Sequence, residues 1–343
     1  MRRSRSDVGR AGWRTGGRII ALAALLTTAR PPDRLPAQDA PINAGALFLV
    51  FPVGAQAVGM GQTATAAAGR GEAAFWNPAG LATLTDDEFA LHSATLVAGR
   101  SHVLAAYFPS RGIGVIGAAV YLVDYGDLDR TDANGNTIAR IAPRNFEFLA
   151  SYATNLTGSV VFGISYKLVQ FRVDCSGDCR DFPAGTGATH ALDLGGQFRV
   201  GPGGPLRVGV ALRNVGFRLQ VQNQAQADPL PTRLAVGALY ELRLRPATGR
   251  ALDQTFDLKF AADVDSPWGQ VGQSETRLGI DVGYQRLVRV RAGYAFVQDG
   301  LSGPSVGLGV ESGSLGVDLA RAFLTGSDLQ VESPTFFSFR VTF

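Results

Sequence analysis

The chain has 343 residues, and its 32 lysines and arginines outnumber its 29 acidic residues by three. Eight of the arginines and only two acidic residues lie in residues 1–37, so the rest has 24 basic and 27 acidic residues and is mildly acidic. This balance excludes binding to nucleic acid through a basic surface.

The N-terminal segment has the pattern of a secretion signal. Arginines from Arg2 to Arg18 precede an apolar run from Ile19 to Leu26, and Ala37 offers a small residue for cleavage. Because the run is too short to cross a bilayer as a helix, the pattern predicts a signal peptide over residues 1–37 rather than an anchor. No later stretch reaches about 18 uninterrupted apolar residues, which excludes helical membrane spans.

Residues 38–87 differ in character from the rest of the mature chain. The stretch from Asn43 to Leu84 is rich in alanine and glycine, has helix-like patches and lacks strand alternation. We expect it to be a plug in which three glycines allow close backbone approach and an Asn-Pro turn contains a left-handed glycine. We expect two aromatic residues to anchor the plug against the barrel wall or against a ligand. Two readings stay open: the segment only packs the barrel, or it also contacts a ligand directly. The expected plug or gate residues are Gly54, Gly59, Gly61, Phe75, Trp76, Asn77, Pro78 and Gly80.

From residue 88 onward the chain alternates between apolar and polar residues with period two. In one example, Phe256, Leu258 and Phe260 share one face, while Asp257 and Lys259 share the other. Such alternation predicts strands that separate lipid from a polar lumen. About fourteen segments show it: 88–98, 101–109, 113–123, 144–154, 159–172, 187–200, 205–216, 232–245, 253–265, 275–285, 287–297, 304–311, 314–322 and 335–343.

The connections between these segments alternate between short and long. Turns such as residues 110–112 and 201–204 are short, whereas residues 124–143, 173–186 and 217–231 make long loops. Short turns on one side and long loops on the other are typical of outer-membrane barrels with both termini in the periplasm. The sequence therefore predicts an all-β protein: a transmembrane antiparallel β-barrel of about fourteen strands over residues 88–343 in the bacterial outer membrane.

The inward-facing side chains of this barrel are predicted to carry charges of both signs. They either pair with one another and bind the plug, or they create a transverse field in an open channel; mixed signs argue against a strongly ion-selective porin. The expected lumen charges are Asp257, Lys259, Asp263, Asp281, Arg289 and Arg291, together with Arg207, Arg213, Arg233, Arg243, Asp193, Glu311 and Asp318.

No pattern of catalytic chemistry is present in the sequence. The three histidines, His92, His102 and His190, have no metal-ligand spacing and no nucleophile at triad spacing, so we expect no enzyme activity, no metal and no cofactor. Cys175 and Cys179 lie in one long loop of an exported protein, where a small-loop disulfide is the default.

The plug segment resembles a known family. Gly54-Ala-Gln-Ala-Val-Gly-Met-Gly61 and Ala74-Phe-Trp-Asn-Pro-Ala-Gly-Leu81 are similar to the PorV/PorQ outer-membrane proteins, distant relatives of the FadL-like transporters. The loop from Tyr125 to Gly135 is similar to the first long loop of PorV-like chains. The resemblance implies a barrel of about fourteen strands whose N-terminal segment lies inside or beneath the lumen.

Two functions follow from this resemblance. The leading one is a transport- or secretion-associated role of the PorV type, in which the protein binds a type IX secretion translocon and its cargo. The alternative is a FadL-like passive channel for hydrophobic small molecules such as fatty acids, with residues 43–84 as the movable gate. A structural barrel without transport is a third possibility. The expected partners are outer-membrane lipid and the barrel-assembly machinery, and either the translocon or a hydrophobic ligand.

The last residues form an aromatic strand. Phe337, Phe339, Val341 and Phe343 share one face, and no residue follows to cover it. An exposed aromatic edge of this kind would promote aggregation in a soluble protein. We therefore expect this strand to pair with the one at 88–98, to face lipid, and to serve as the assembly tag.

Overall fold

The computed structural model describes residues 45–180, 185–220, 227–244, 256–268, 274–285, 287–297, 300–325 and 332–343. The expected signal peptide and Arg286 lie outside these ranges, as does the connection at 246–252. Plug and barrel belong to one compact unit.

Fifteen strands carry nearly all of the regular structure in this part of the chain. In chain order they are β1 (Glu88–Thr95), β2 (Arg100–Ser110), β3 (Gly114–Asp124), β4 (Leu128–Thr131), β5 (Thr137–Thr157), β6 (Val160–Gly177), β7 (Gly185–Arg199), β8 (Leu206–Gly216), β9 (Arg233–Leu244), β10 (Phe256–Pro267), β11 (Glu275–Tyr284), β12 (Val288–Phe296), β13 (Gly303–Ser312), β14 (Leu315–Ala322) and β15 (Thr335–Thr342).

Fourteen of these strands close into an antiparallel barrel. Strands β1 and β15 close it, with Glu88 opposite Thr342 and Thr95 opposite Thr335. Next to them, β3 pairs directly with β5, and β4 lies outside the ring as an added strand on β5. The predicted barrel, its strand number and the pairing of the terminal strand with the first one are therefore confirmed.

The alternation of the sequence is the reason that these segments form a barrel wall. On β10, Phe256, Phe260 and Val264 are exposed, while Ala261 and Asp263 point inward and are buried. On β15, Phe337 is exposed and Ser338 and Arg340 are buried. A closed ring satisfies every backbone donor and acceptor without leaving an edge in lipid.

One connection differs from its prediction. The long loop expected at 124–143 contains β4 and the first residues of β5, and β5 and β6 reach 21 and 18 residues against 8 in β1. Strands β4, β5 and β6 therefore extend beyond the ring on the long-loop side as a small sheet, which we call the projection. Polar and charged residues there are mixed with apolar ones such as Leu128, Ile138 and Ile141, without the period-two apolar alternation of a strand that faces lipid on one side.

The plug consists of short helical turns joined by loops. They are a 3₁₀-helix at Leu47–Val50, α1 at Ala55–Gly59, α2 at Ala73–Trp76, and a 3₁₀-helix at Pro78–Thr83. In the described residues no helix is long and apolar enough to cross a membrane.

The plug runs between the two ends of the barrel. At the long-loop end, the Gly45 amide donates to the Pro229 carbonyl in the β8–β9 loop. At the short-turn end, Arg70 pairs with Glu311 of β13 and Glu88 of β1. The chain then returns through α2 before it enters β1.

Candidate functional site

The plug packs directly on the barrel backbone, and inward-facing glycines make this possible. A Cβ atom on Gly293 of β12 would lie 2.1 Å from the Gly61 amide nitrogen, and one on Gly307 of β13 would lie 3.0 Å from the Gly59 Cα. Other wall glycines show equally close approach to plug atoms, so the plug leaves no room for side chains there: Gly163, Gly195, Gly209, Gly237 and Gly279. Sequence reasoning missed this belt, although glycine at inward strand positions was its signal.

The predicted plug glycines have different roles. Gly54 and Gly61 have φ of +90° and +67°, which favours glycine, and both also touch neighbouring atoms closely. The predicted left-handed backbone at Gly80 is wrong, because Gly80 lies inside the second 3₁₀-helix. Glycine is instead required at position 80 because there is no room for a side chain, since a Cβ there would lie 2.4 Å from the Ala68 carbonyl oxygen.

Asn77 joins two parts of the plug to the wall. Its fully buried amide donates to the Thr65 carbonyl at 2.7 Å, and its Oδ1 accepts from the Ala79 amide at 3.1 Å. The same amide nitrogen lies 3.3 Å from the carbonyl oxygens of Gly196 and Val210, on β7 and β8. Pro78 follows as the first residue of the 3₁₀-helix. The Asn-Pro signature thus forms a structural junction.

The two plug aromatics contact opposite sides of the barrel. Phe75 packs edge-on against Tyr121 of β3, with ring centroids 6.2 Å apart. Trp76 donates from Nε1 to the Val53 carbonyl, and the guanidinium groups of Arg213 and Arg277 lie over its ring at 5.4 and 5.8 Å. Both side chains are buried, so they anchor the plug between two unlike surfaces.

The inner face of β8–β14, which we call the ionic wall, binds the plug backbone. The predicted Asp263 accepts from the Ala64 and Thr65 amides at 2.8 Å each. Buried Arg213 pairs with Asp265 at 2.6 Å and donates to the Phe75 carbonyl at 3.3 Å. These contacts are directional and fix the plug segments that they touch.

Most of the other predicted lumen charges lie on this wall and pair with one another, whereas Asp193 lies on β7 and pairs with Lys167 of β6 at 2.8 Å. Arg291 bridges Asp281 at 2.8 Å and Asp318 at 2.6 Å, and Arg289 pairs with Asp281 at 2.6 Å. Asp257 and Lys259 lie lower on β10, with partners only at 3.8 and 4.0 Å. Asp257 and Lys259 are therefore more loosely paired than the other charges named on this wall.

Glu72 is a functional residue that sequence reasoning missed. Its carboxylate accepts from the first turn of α1, at 3.1 Å from the Ala57 amide and 3.3 Å from the Gln56 amide. Burial, reinforced by the charge of Asp318, raises the pKa of Glu72 to about 7. Its signal was visible, since it is the only acidic residue between Asp39 and Asp86.

The inner face of β1–β3 and β5, which we call the apolar wall, contacts the plug mainly through hydrophobic side chains; at its short-turn end, Glu88 also accepts from the Gly71 amide at 2.8 Å. Phe48 lies 6.0 Å from Tyr121, ring centroid to centroid, and both are almost fully buried. One continuous cluster, which we call the apolar seam, extends from loop residues Leu219 and Leu230 at one end to plug residue Leu84 at the other. Its members on the apolar wall are Ala90, Ala94, Leu96, Val103, Ala105, Tyr107, Val115, Ala119, Tyr121, Val123, Leu149 and Ala153, and neighbouring strands add Val169, Ala191, Ala320, Ala322 and Phe336.

Two polar cavities lie beneath the plug at the short-turn end, and together we call them the vestibule. Their volumes are about 400 and 640 Å³, and both are lined by Arg70, Thr83 and Glu241. A third, apolar groove of about 620 Å³ lies between β9 and β12 on the lipid-facing side, with Gly279 and Gly293 behind it. Because this groove opens on the lipid-facing side, we assign it to the lipid contact rather than to the lumen.

The remaining predicted sites occupy separate places. Cys175 and Cys179 form a disulfide at the end of β6 in the projection. His102 and His190 lie outside the lumen against Ser93 and Tyr166, while buried His92 contacts Ser338. Within the described ranges, no group of three or more His, Cys, Asp and Glu side chains could bind a metal ion.

The comparisons with known proteins show the fold. No protein-family model matches the chain, and no curated protein matches it by sequence. The barrel is similar to the Pseudomonas putida toluene transporter TodX, at 14% identity and a TM-score of 0.56 over 84% of this chain and 98% of that one. It is also similar to the CymD monoaromatic hydrocarbon channel, at 16% identity and a TM-score of 0.55 over 85% and 97%.

These likenesses show the fold, a closed antiparallel β-barrel of the bacterial outer membrane. They give no support to the finer PorV/PorQ resemblance. Both neighbours are transport proteins rather than enzymes.

Proposed function

We propose that this barrel is a passive channel for hydrophobic small molecules, with plug residues 45–87 as its gate. The apolar seam carries the proposal, because it connects the long-loop end with the short-turn end along one side of the lumen. A hydrophobic molecule that replaces plug side chains there exchanges one apolar contact for another. Such an exchange costs little, since the hydrophobic effect is non-directional.

The lumen is closed in this structure. Each neighbouring pair of barrel strands is hydrogen-bonded, and plug side chains such as Phe48 and Phe75 occupy the apolar seam. Passage therefore requires the plug to move away from the apolar wall. The names of TodX and CymD, a toluene transporter and a monoaromatic hydrocarbon channel, agree with cargo of this class.

An uptake assay with a matched pair of variants tests this function. Ala119 points into the apolar seam from β3, whereas its neighbour Ala118 points outward to lipid. Uptake of radiolabelled toluene is measured in cells that lack their own hydrocarbon channels and produce the protein. We expect wild type and Ala118→Phe to exceed the empty vector, and Ala119→Phe to fall to its level. Uptake by wild type no faster than the empty vector would refute the channel.

A secretion-associated role of the PorV type is the second candidate, and the projection favours it. The projection extends above the ring on the long-loop side, and the Cys175–Cys179 disulfide constrains its end. An exposed surface of this kind could bind a translocon or its cargo. Affinity purification from native membranes distinguishes the two functions, because secretion requires a large barrel partner to co-purify, whereas the channel requires none.

A further inference from the structure

The smaller cavity of the vestibule has an unusual arrangement of charges. Arg199 on β7 and Arg207 on β8 are direct register partners on the inner face. Like charges directly opposite each other on neighbouring strands repel and destabilise the pair. An anion between or beside them would remove this repulsion.

The carboxylate of Glu241 acts on three cations in this part of the vestibule. Glu241 lies 3.6 Å from Arg199 and 4.0 Å from Lys259, its register partner on β10. Glu241 is also the acidic residue whose charge acts on Arg207, which has no carboxylate within 4.0 Å among the described residues. Within the described part of the chain, Arg207 therefore has no carboxylate partner at ion-pair distance. Lys259 shares Glu241 with Arg199, while Asp281 acts on Lys259 from farther away.

Two other carboxylates of the vestibule pair with cations of their own, and a third, that of exposed Asp86, accepts from the Thr85 hydroxyl at 2.8 Å. Glu311 pairs with Arg70 at 2.5 Å and with Arg340 at 3.4 Å. Asp257 lies 3.8 Å from Arg243. Among the described residues, neither these two carboxylates nor Asp86 lies within 4.0 Å of Arg207 or Lys259. The cations are partly removed from bulk water, where an added counter-charge interacts more strongly than at an open surface.

Space for such a counter-charge exists. Arg207, Glu241 and Lys259 line the cavity of about 400 Å³, and plug residues Thr83 and Thr85 add hydroxyl groups. The volume falls within the range of roughly 300–1,000 Å³ that small-molecule sites occupy. Guanidinium and ammonium groups bind oxyanions through charge-assisted hydrogen bonds.

We propose that the vestibule binds a small oxyanion, a carboxylate or a phosphate, at Arg207 and Lys259. This inference rests on the proposed channel function in one respect: a carboxylate carried by hydrophobic cargo would reach this site as it leaves the apolar seam. Free periplasmic phosphate is the other source of the same chemistry. The site lies at the short-turn end of the lumen and belongs to the barrel wall rather than to the plug.

Isothermal titration of the full-length mature protein in phosphatidylcholine nanodiscs tests the site. The probes are benzoate, benzyl alcohol, which has the same ring without the charge, and inorganic phosphate. The test variant is Arg207→Gln with Lys259→Gln, and the control is Arg111→Gln in the exposed β2–β3 turn. Heat-modifiable migration on gels verifies that each barrel is folded.

We expect wild type and the Arg111→Gln control to bind benzoate with equal affinity and benzyl alcohol at least about tenfold more weakly. The double variant should bind benzoate at least about tenfold more weakly than wild type, as expected for lost charge-assisted bonds. Competition by phosphate supports the oxyanion site and assigns it to free phosphate. Binding of benzoate without such competition supports it and assigns it to cargo carboxylates.

Two results would overturn the inference. One is the absence of heat for both anions, and the other is unchanged benzoate affinity in the double variant. Neither result affects the channel function, because toluene uptake involves no anion. Conversely, a protein that binds benzoate but fails the toluene assay retains the site and loses the channel.

Discussion

The apolar wall and the ionic wall face each other across one plug, and they contact it in opposite ways. The apolar wall touches plug side chains such as Phe48 and Phe75, and these contacts have no preferred direction. The ionic wall binds plug backbone, as in the two amide hydrogen bonds to Asp263. A cargo molecule can replace contacts of the first kind but not of the second. Under the proposed channel function, the ionic wall would be the attachment of the gate and the apolar wall its opening side.

The largest expected effect comes from removing the attachment at Asp263. In Asp263→Ala, the buried Ala64 and Thr65 amides lose their acceptor, and each unsatisfied group costs about 1–3 kcal/mol. We expect hydrogen exchange of residues 60–68 to accelerate as the plug detaches. Asp257→Ala, on the same strand with only a 3.8 Å pair, is the control and should leave this exchange unchanged. Equal exchange in both variants would contradict the role of the ionic wall.

Truncation on the opposite wall should loosen the other side of the plug. Phe48 is 1% exposed, and Phe48→Ala should cost about 3 kcal/mol or somewhat more, as for buried aromatic truncations. We expect faster exchange in residues 45–53 and faster toluene uptake, with exchange at 60–68 unchanged. If residues 60–68 respond equally, the plug moves as one rigid body and the two walls are not independent.

A pH change tests how Glu72 couples α1 to the wall. The groups that face it are Asp318 and Arg340, which act on its charge, together with His92 and Ser338. Because the pKa of Glu72 rises from 4.5 to about 7 in the folded protein, the docked plug prefers the protonated form. Stability from this group is full below pH 4.5 and is lost as the pH rises through about 7.

The full change amounts to roughly 3 kcal/mol. Exchange of residues 55–61, corrected for the intrinsic pH dependence of amide exchange, should therefore reveal weaker protection at pH 8 than at pH 5. Glu72→Gln cannot ionise and should flatten this dependence. An unchanged slope in Glu72→Gln would assign the pH effect to another group.

The sequence predicts the two walls unequally. Alternation on β10 predicts an inward Asp263 and an outward Phe260, because a barrel strand has only two faces and lipid selects one of them. The sequence could not predict the partners of Asp263, since Ala64 and Thr65 lie almost 200 residues away in a segment without alternation. A backbone amide as partner leaves no side-chain pattern in the sequence.

The plug and the projection were harder to predict from the sequence than the two walls, for related physical reasons. Gly80 matches a turn signal, but the packing of Ala68 against it, rather than backbone handedness, requires the glycine. Strand β4 escaped prediction because alternation requires lipid on one side, and both of its faces meet water. A sequence predicts which face of a strand meets lipid or water. It does not predict contacts between residues that only the tertiary fold brings together.

The smallest effect is expected where neither wall is involved. Cys175→Ser with Cys179→Ser opens a disulfide that spans only four positions in the projection, so the stabilisation lost should be about 2 kcal/mol or less. Exchange should increase in residues 137–143 and 172–180, while plug exchange and toluene uptake remain at wild-type values. A change in hydrogen exchange of the plug would contradict the contrast between the two walls, because it would couple the plug to a sheet that lies outside the ring. An unchanged plug, by contrast, would restrict the control of opening to the apolar and ionic walls.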